Sequence, residues 1–156
     1  MVAFVIPGEP VALARPRAMS FGGHARVYEP SKSPSAQWKG RAAWTLREAM
    51  GGKPPLDGPV TLTVIFTFTL PRSRWKKKAP VAEQPHTKRP DLDNLVKNLL
   101  DASNGVVVVD DSQVCHIDAV KVIGRQGQEP SVVGTFTSCG FPRISVDSPT
   151  PPMGDS

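Results

Sequence analysis

Asp91, Asp93 and Asp111 carry most of the chemistry that this chain could do. They lie in two short blocks, Arg89-Pro-Asp-Leu-Asp-Asn-Leu-Val-Lys97 and Asp110-Asp-Ser-Gln-Val114. Residues 72–89 hold seven Lys or Arg against the single acid Glu83, whereas residues 91–118 hold six Asp and Lys97 as their one Lys or Arg. Crowded carboxylates repel one another and usually gather around a cation. An acidic cluster beside a basic track suits a metal site set against a polyanion. Three carboxylates suffice for one Mg²⁺, or for two ions about 3.5–4 Å apart, with waters completing each octahedron.

Each of these residues also has a plain structural alternative. Asp91 or Asp93, just after Pro90, would cap the free N–H groups of a helix start, where the dipole favours a carboxylate. Lys97 lies four residues after Asp93 and four before Asp101, so a surface charge ladder suits it as well as a phosphate does. Asp110-Asp-Ser is good turn chemistry, but it follows four consecutive valines, so an apolar run opens directly onto two carboxylates. Arg15, Arg17, Lys76, Lys77, Lys78, Lys88 and Arg89 are candidate phosphate contacts, with solvated surface as the alternative for any one of them. His86 fits a DNA contact or a structural role better than an acid or base. Trp75 could stack on a base or pack on its own loop.

These residues need elements to hold them. Residues 2–6 predict a strand stopped by Pro7-Gly8, and residues 7–34 a loop or irregular hairpin turning at Gly22-Gly23. A helix is expected over 35–50, capped by Ser33 or Ser35 and ended by Gly51-Gly52, with Trp38, Ala42, Leu46 and Ala49 on its buried face. Pro59 to Leu70 alternates apolar residues with Thr and reads as a half-buried strand. A long basic loop, 71–90, follows; such loops are usually functional or mobile. Leu92, Leu95, Val96, Leu99 and Leu100 set the stripe of a second helix from Leu92 to Asn104, stopped by Gly105. Short strands are expected over Val106–Val109, Gln113–Gly124 and Ser131–Thr137. The Ser- and Pro-rich residues 143–156 read as a disordered tail, leaving one domain over 1–142.

The chain has 156 residues and a mass of 16.8 kDa, enough for one domain with a real core. Its net charge of +5 suits an anionic partner, although solubility alone would explain it. Cys115 and Cys139 form no CxxC pair and cannot supply a thiolate zinc site, so two reduced thiols in a cytoplasmic protein are expected. No run approaches the ~20 apolar residues of a membrane span, and the apolar start lacks a charged n-region. A soluble protein with no membrane partner is the expectation.

The ordered set of motifs resembles the RusA family of Holliday junction resolvases, small endodeoxyribonucleases of bacteria and their phages. The match runs from the first strand to about residue 124. It begins with Pro7-Gly8-Glu9-Pro10 and Arg15-Pro-Arg17. It continues through His86-x-x-Arg89-Pro-Asp-x-Asp-Asn-Leu-x-Lys97, Leu100-Asp101-x-x-x-Gly105, Asp110-Asp-x-Gln-Val114 and Lys121. The resemblance implies an α+β domain with a mixed sheet and two main helices, working as a homodimer. It implies Mg²⁺, with Mn²⁺ as a substitute, on Asp91, Asp93 and Asp111, with Asp110 as the alternative to its neighbour and Lys97 as a catalytic helper. The implied activity is paired symmetric nicking of four-way junctions in recombination and repair, leaving a 5′-phosphate and a 3′-hydroxyl. The alternatives are a branched-DNA-binding protein without catalysis and a less selective flap or branched-DNA nuclease.

Overall fold

A computed structural model describes residues 1–14, 17–21, 24–28 and 31–139. Its strands are β1 (Val2–Pro7), β2 (Arg17–Phe21), β3 (His24–Tyr28), β4 (Val60–Phe68), β5 (Gln84–Pro85), β6 (Val114–Ile123) and β7 (Ser131–Ser138), with helices α1 (Pro34–Met50) and α2 (Leu92–Ser103). Five strands form one sheet in the order β1-β7-β4-β6-β5, and β2 pairs with β3 as a separate hairpin. Among the described strands, β4 and β6 run parallel and the other strand pairings are antiparallel. This is the mixed-sheet α+β arrangement that the resemblance implied.

Alternation decides which face of the sheet is covered. Val2, Phe4 and Ile6 of β1, Val60, Leu62, Val64 and Phe66 of β4, and Val132 and Phe136 of β7 are all buried. They join Trp38, Ala42 and Leu46 of α1 and Leu95, Val96 and Leu99 of α2 in one core. The opposite face stays open, with Val5, Ile65 and Val133 exposed among threonines. Gly134 sits in the middle of β7, opposite Phe4 on one side and Val64 on the other. A Cβ there would collide with the Thr63 carbonyl oxygen and come within 2.8 Å of the Phe4 ring. Gly134→Ala is therefore expected to cost about 1–3 kcal/mol by overpacking, read as a lower urea midpoint at unchanged slope.

The Ser33 side chain caps α1 by accepting from the Ala36 N–H at 3.1 Å, and Gly51, at φ 57°, closes it in the left-handed region that glycine tolerates. Ser35 is buried instead, its Oγ accepting from the Ala14 N–H. The buried stripe of α1 continues from Leu46 to Met50, not to Ala49, which is exposed. Two equally spaced positions, i+3 and i+4, were open there, and the longer side chain takes the core.

Val106–Val109 is a turn, not a strand. Gly105, at φ 69°, curls the chain back, and the N–H groups of Val106, Val107 and Val108 all approach the Ser103 carbonyl. Val107 and Val108 plug the core while Val109 is left outside. A four-residue apolar run does not reveal this, because burial without alternation fits a plug as well as a strand. Gly22 and Gly23 of the expected hairpin lie outside the described residues, though Phe21 and His24 on either side do pair. Arg15, the tail after Pro142 and with it the expected domain limit lie outside them as well. Among the described residues, no helix is long and apolar enough to cross a membrane.

Candidate active site

Asp91 is the N-cap of α2, with extended backbone, and its side chain makes no capping hydrogen bond. Its backbone carbonyl does the helical work, accepting from the Leu95 N–H at 3.2 Å. The carboxylate is exposed and uncommitted, which removes the cap as an explanation for it. Asp93 follows in the first turn and is also exposed. Lys97, exposed one turn further along, shares that edge of the helix. A cleft of about 380 Å³ opens at Asp91, lined by Ala12, Arg89, Pro90, Asp91 and Asn94.

Two devices hold this cleft, and neither was assigned a role from sequence. The first is a strap, Val11 to Ala14, laid across α2. The Leu13 N–H donates to the Asn94 carbonyl at 3.0 Å, and Asn98, fully buried, donates through Nδ2 to the Val11 carbonyl at 2.8 Å. A polar residue inside the apolar stripe of α2 was the available signal, since buried amides need partners. The second is Lys121 of β6, whose Nζ donates to the carbonyls of Lys88 and Pro90, each at 2.6 Å. The Arg89–Pro90 peptide between them is cis.

The Asp110–Asp111 block folds as a 3₁₀ turn over Asp111–Gln113. Asp110 is its N-cap, with Oδ1 accepting from the Ser112 N–H at 2.8 Å. Hydrogen bonds from Ser112, first its side chain and then its backbone, hold the Asp110 carboxyl below the usual range. Asp110 thus has a structural task, and Asp111 does not share it. Gln113 pins the turn in place: its Oε1 accepts from Val109 and Asp110 N–H groups, and its Nε2 donates to the Leu56 and Gly58 carbonyls. With four neutral bonds at about 1 kcal/mol each, discounted for exposure, Gln113→Ala is expected to cost about 2–3 kcal/mol in chemical denaturation. The Asp-x-x-Gln spacing carried that signal as a capping box.

Asp111 does not join Asp91 and Asp93 within one chain. Lys121, toward the end of β6, holds the loop before Asp91, while Asp111 precedes the first residue of that strand. Val114 to Lys121 spans about 23 Å at strand rise. The 12 residues of α2, which starts at the first block and ends short of the second, span about 18 Å. Among the described residues, no three Asp, Glu, His or Cys side chains converge as a metal-holding group.

The basic track lies beside the Asp91 end. A second groove of about 490 Å³ runs between Pro71, Arg74, Gln84, His86, Lys88 and Arg89. Lys76, Lys77, Lys78, Lys88 and Arg89 are all exposed. Arg17 opens β2, and its side chain is not described. His86 packs edge-on against Phe68, and its Nδ1 accepts from the Lys88 N–H at 3.2 Å. Burial, and then the nearby Lys121 charge, lower its pKa. Trp75 packs on its own loop: its indole N–H donates to the Leu70 carbonyl, and Arg72 stacks over the ring.

Comparison with known proteins agrees with the motifs. The family model for endodeoxyribonuclease RusA matches residues 7–132, which span both acidic blocks, the basic track and most of the sheet. A Bacillus subtilis (strain 168) protein, carrying the name uncharacterized protein YqaN, is 35% identical over 139 residues, covering 84% of this chain and 92% of its own length. A mixed sheet under two helices, with exposed aspartates at a helix start beside a cationic groove, thus goes with a match over most of the chain. The chain belongs to the RusA endodeoxyribonuclease family.

Proposed function

We propose that this protein is a Mg²⁺-dependent endonuclease that resolves four-way DNA junctions as a homodimer. One observation carries the proposal: Asp91 occupies an N-cap position without using its carboxylate to cap, next to an equally exposed Asp93 and an electropositive groove. Two such carboxylates suit Mg²⁺, which is commonly held by one or two carboxylates, waters and a substrate phosphate. Asp91 and Asp93 would hold the ion. When bound, it lowers the pKa of a coordinated water and relieves charge on the phosphoryl oxygens. Lys97, on the same helix edge, offsets the negative charge that builds up on the scissile phosphate. Lys76, Lys77, Lys78, Lys88 and Arg89 neutralise the backbone and fix its register.

The free edge of the sheet supports the dimer. β5 pairs with β6 only at Val122 and Ile123, so from Val114 to Val120 no described strand pairs with the other side of β6. Ile117 and Val120 there are 42% and 46% exposed. An unpaired edge of this length invites another strand. Two copies related by a two-fold axis can join such edges only antiparallel, so the start of one β6 meets the end of the other. Asp111 of each chain would then approach the Asp91–Asp93 pair of its partner, supplying the third carboxylate that one chain lacks. The dimer also matches the two-fold symmetry of a four-way junction, one site for each of two symmetric nicks.

The test is cleavage of a synthetic four-way junction, a flap and a linear duplex in Mg²⁺. Paired nicks in the junction, with 5′-phosphate and 3′-hydroxyl ends and little cutting of the others, are expected. Binding without nicking in either Mg²⁺ or Mn²⁺ would leave a DNA-binding protein. Equal cutting of flap and junction would leave a less selective nuclease.

A further inference from the structure

We infer that Lys121 is a positioning residue for the Asp91–Asp93 pair; this rests on the nuclease reading above. Lys121 pairs with Phe66 on the covered face of the sheet, an unusual place for an ammonium. The residue is half-buried and its head reaches the backbone of residues 88–90, as long amphipathic side chains can. There, Nζ donates to both the Lys88 and Pro90 carbonyls at 2.6 Å. The carbonyl of Lys121 accepts the His86 N–H at 3.0 Å. One residue thus holds the 86–90 segment at three points.

The consequence falls on Asp91. Pro90 supplies the peptide plane that leads into it, and the Asp91 side chain has no capping bond of its own to fix it. The backbone entering α2 therefore sets where the first carboxylate sits. Charge-assisted bonds to neutral carbonyls are about twice as strong as neutral ones, so the ammonium is a firm anchor. A partner one step behind a metal ligand typically controls about 10–100-fold in metal affinity or activity. The bonds of Lys121 go to the backbone of residues 86–90, so it acts through Asp91.

The experiment measures Mn²⁺ binding to the DNA-free full chain by the free-ion electron paramagnetic resonance signal, junction affinity in EDTA, and Mg²⁺-dependent nicking. Lys121→Met should weaken Mn²⁺ binding at least about tenfold and raise the Mg²⁺ needed for nicking in parallel, while junction affinity in EDTA, which also feels the lost charge and the loosened Lys88 and Arg89, falls by less than Mn²⁺ affinity does. Lys121→Arg, which keeps the charge and the donors, should recover most of the loss. If Lys121→Met does not fold, Lys121→Gln is judged by the same measurements. Wild-type Mn²⁺ affinity in the folded Met or Gln variant overturns the inference, as does an Arg variant no better than Met. If the wild type itself neither binds Mn²⁺ nor nicks, the nuclease reading falls and this inference with it; a wild type that does both leaves Lys121 alone at stake.

Discussion

Asp91→Asn should abolish Mg²⁺-dependent nicking of a four-way junction, by about three orders of magnitude or more, while leaving the protein folded and bound to its substrate. The size follows from the several kcal/mol that a Lewis-acidic ion contributes to such a transition state, at about 1.4 kcal/mol for each tenfold. The selectivity follows from the local geometry. Asp91 is exposed, and no capping bond depends on its side chain. Asn is as good an N-cap as Asp, so stability should stay within about 0.5 kcal/mol of the wild type. The substitution also removes a negative charge facing the phosphates, so junction affinity in EDTA should hold or rise. Gel-shift titration and cleavage of the same labelled junction check both halves. A variant that nicks as fast as wild type would remove Asp91 from the reaction. One that loses binding and melting temperature together would give it a structural role instead.

How far the sequence reached depended on whether a signal was local. The alternation of β4 and the five-residue stripe of α2 reflect periodic burial, and both elements lie where the pattern implied. The exposed Asp91 and Asp93 were legible for a similar reason, since a helix start after proline fixes its own first turn. Val106–Val109 was not legible as a turn, because its conformation is set by three N–H groups returning to the Ser103 carbonyl, a contact that hydrophobicity does not encode. The strap over α2 was hidden likewise. Its anchor Asn98 binds a carbonyl 87 residues away in sequence. Neighbouring blocks in sequence also concealed a separation in space. Asp93 lies in the first turn of α2 and Asp111 follows its far end, so the length of the helix carries them toward opposite ends of β6.

That separation gives the sharpest expectation about the assembly. Asp91→Asn and Asp111→Asn homodimers should each be inactive, yet a mixed dimer with one chain of each kind should nick. If Asp91 and Asp93 of one chain work with Asp111 of the other, a mixed dimer collects both lesions in one site and leaves the second intact. Such a dimer should introduce single nicks at about half the wild-type rate per dimer, and it should fail to produce the paired nicks that release two duplexes. If each chain built its own site, both sites of the mixed dimer would carry a lesion, and the mixture would be as inactive as its parents. Co-expression with two affinity tags and sequential purification isolates the mixed species, so that subunit exchange is not assumed. The wild-type chain carrying each tag in turn is the control for full activity. Recovery in the mixed dimer would also bear on the edge pairing of β6. Antiparallel joining of those strands is the arrangement in which the two blocks, set toward opposite ends of β6 within one chain, come close between two chains.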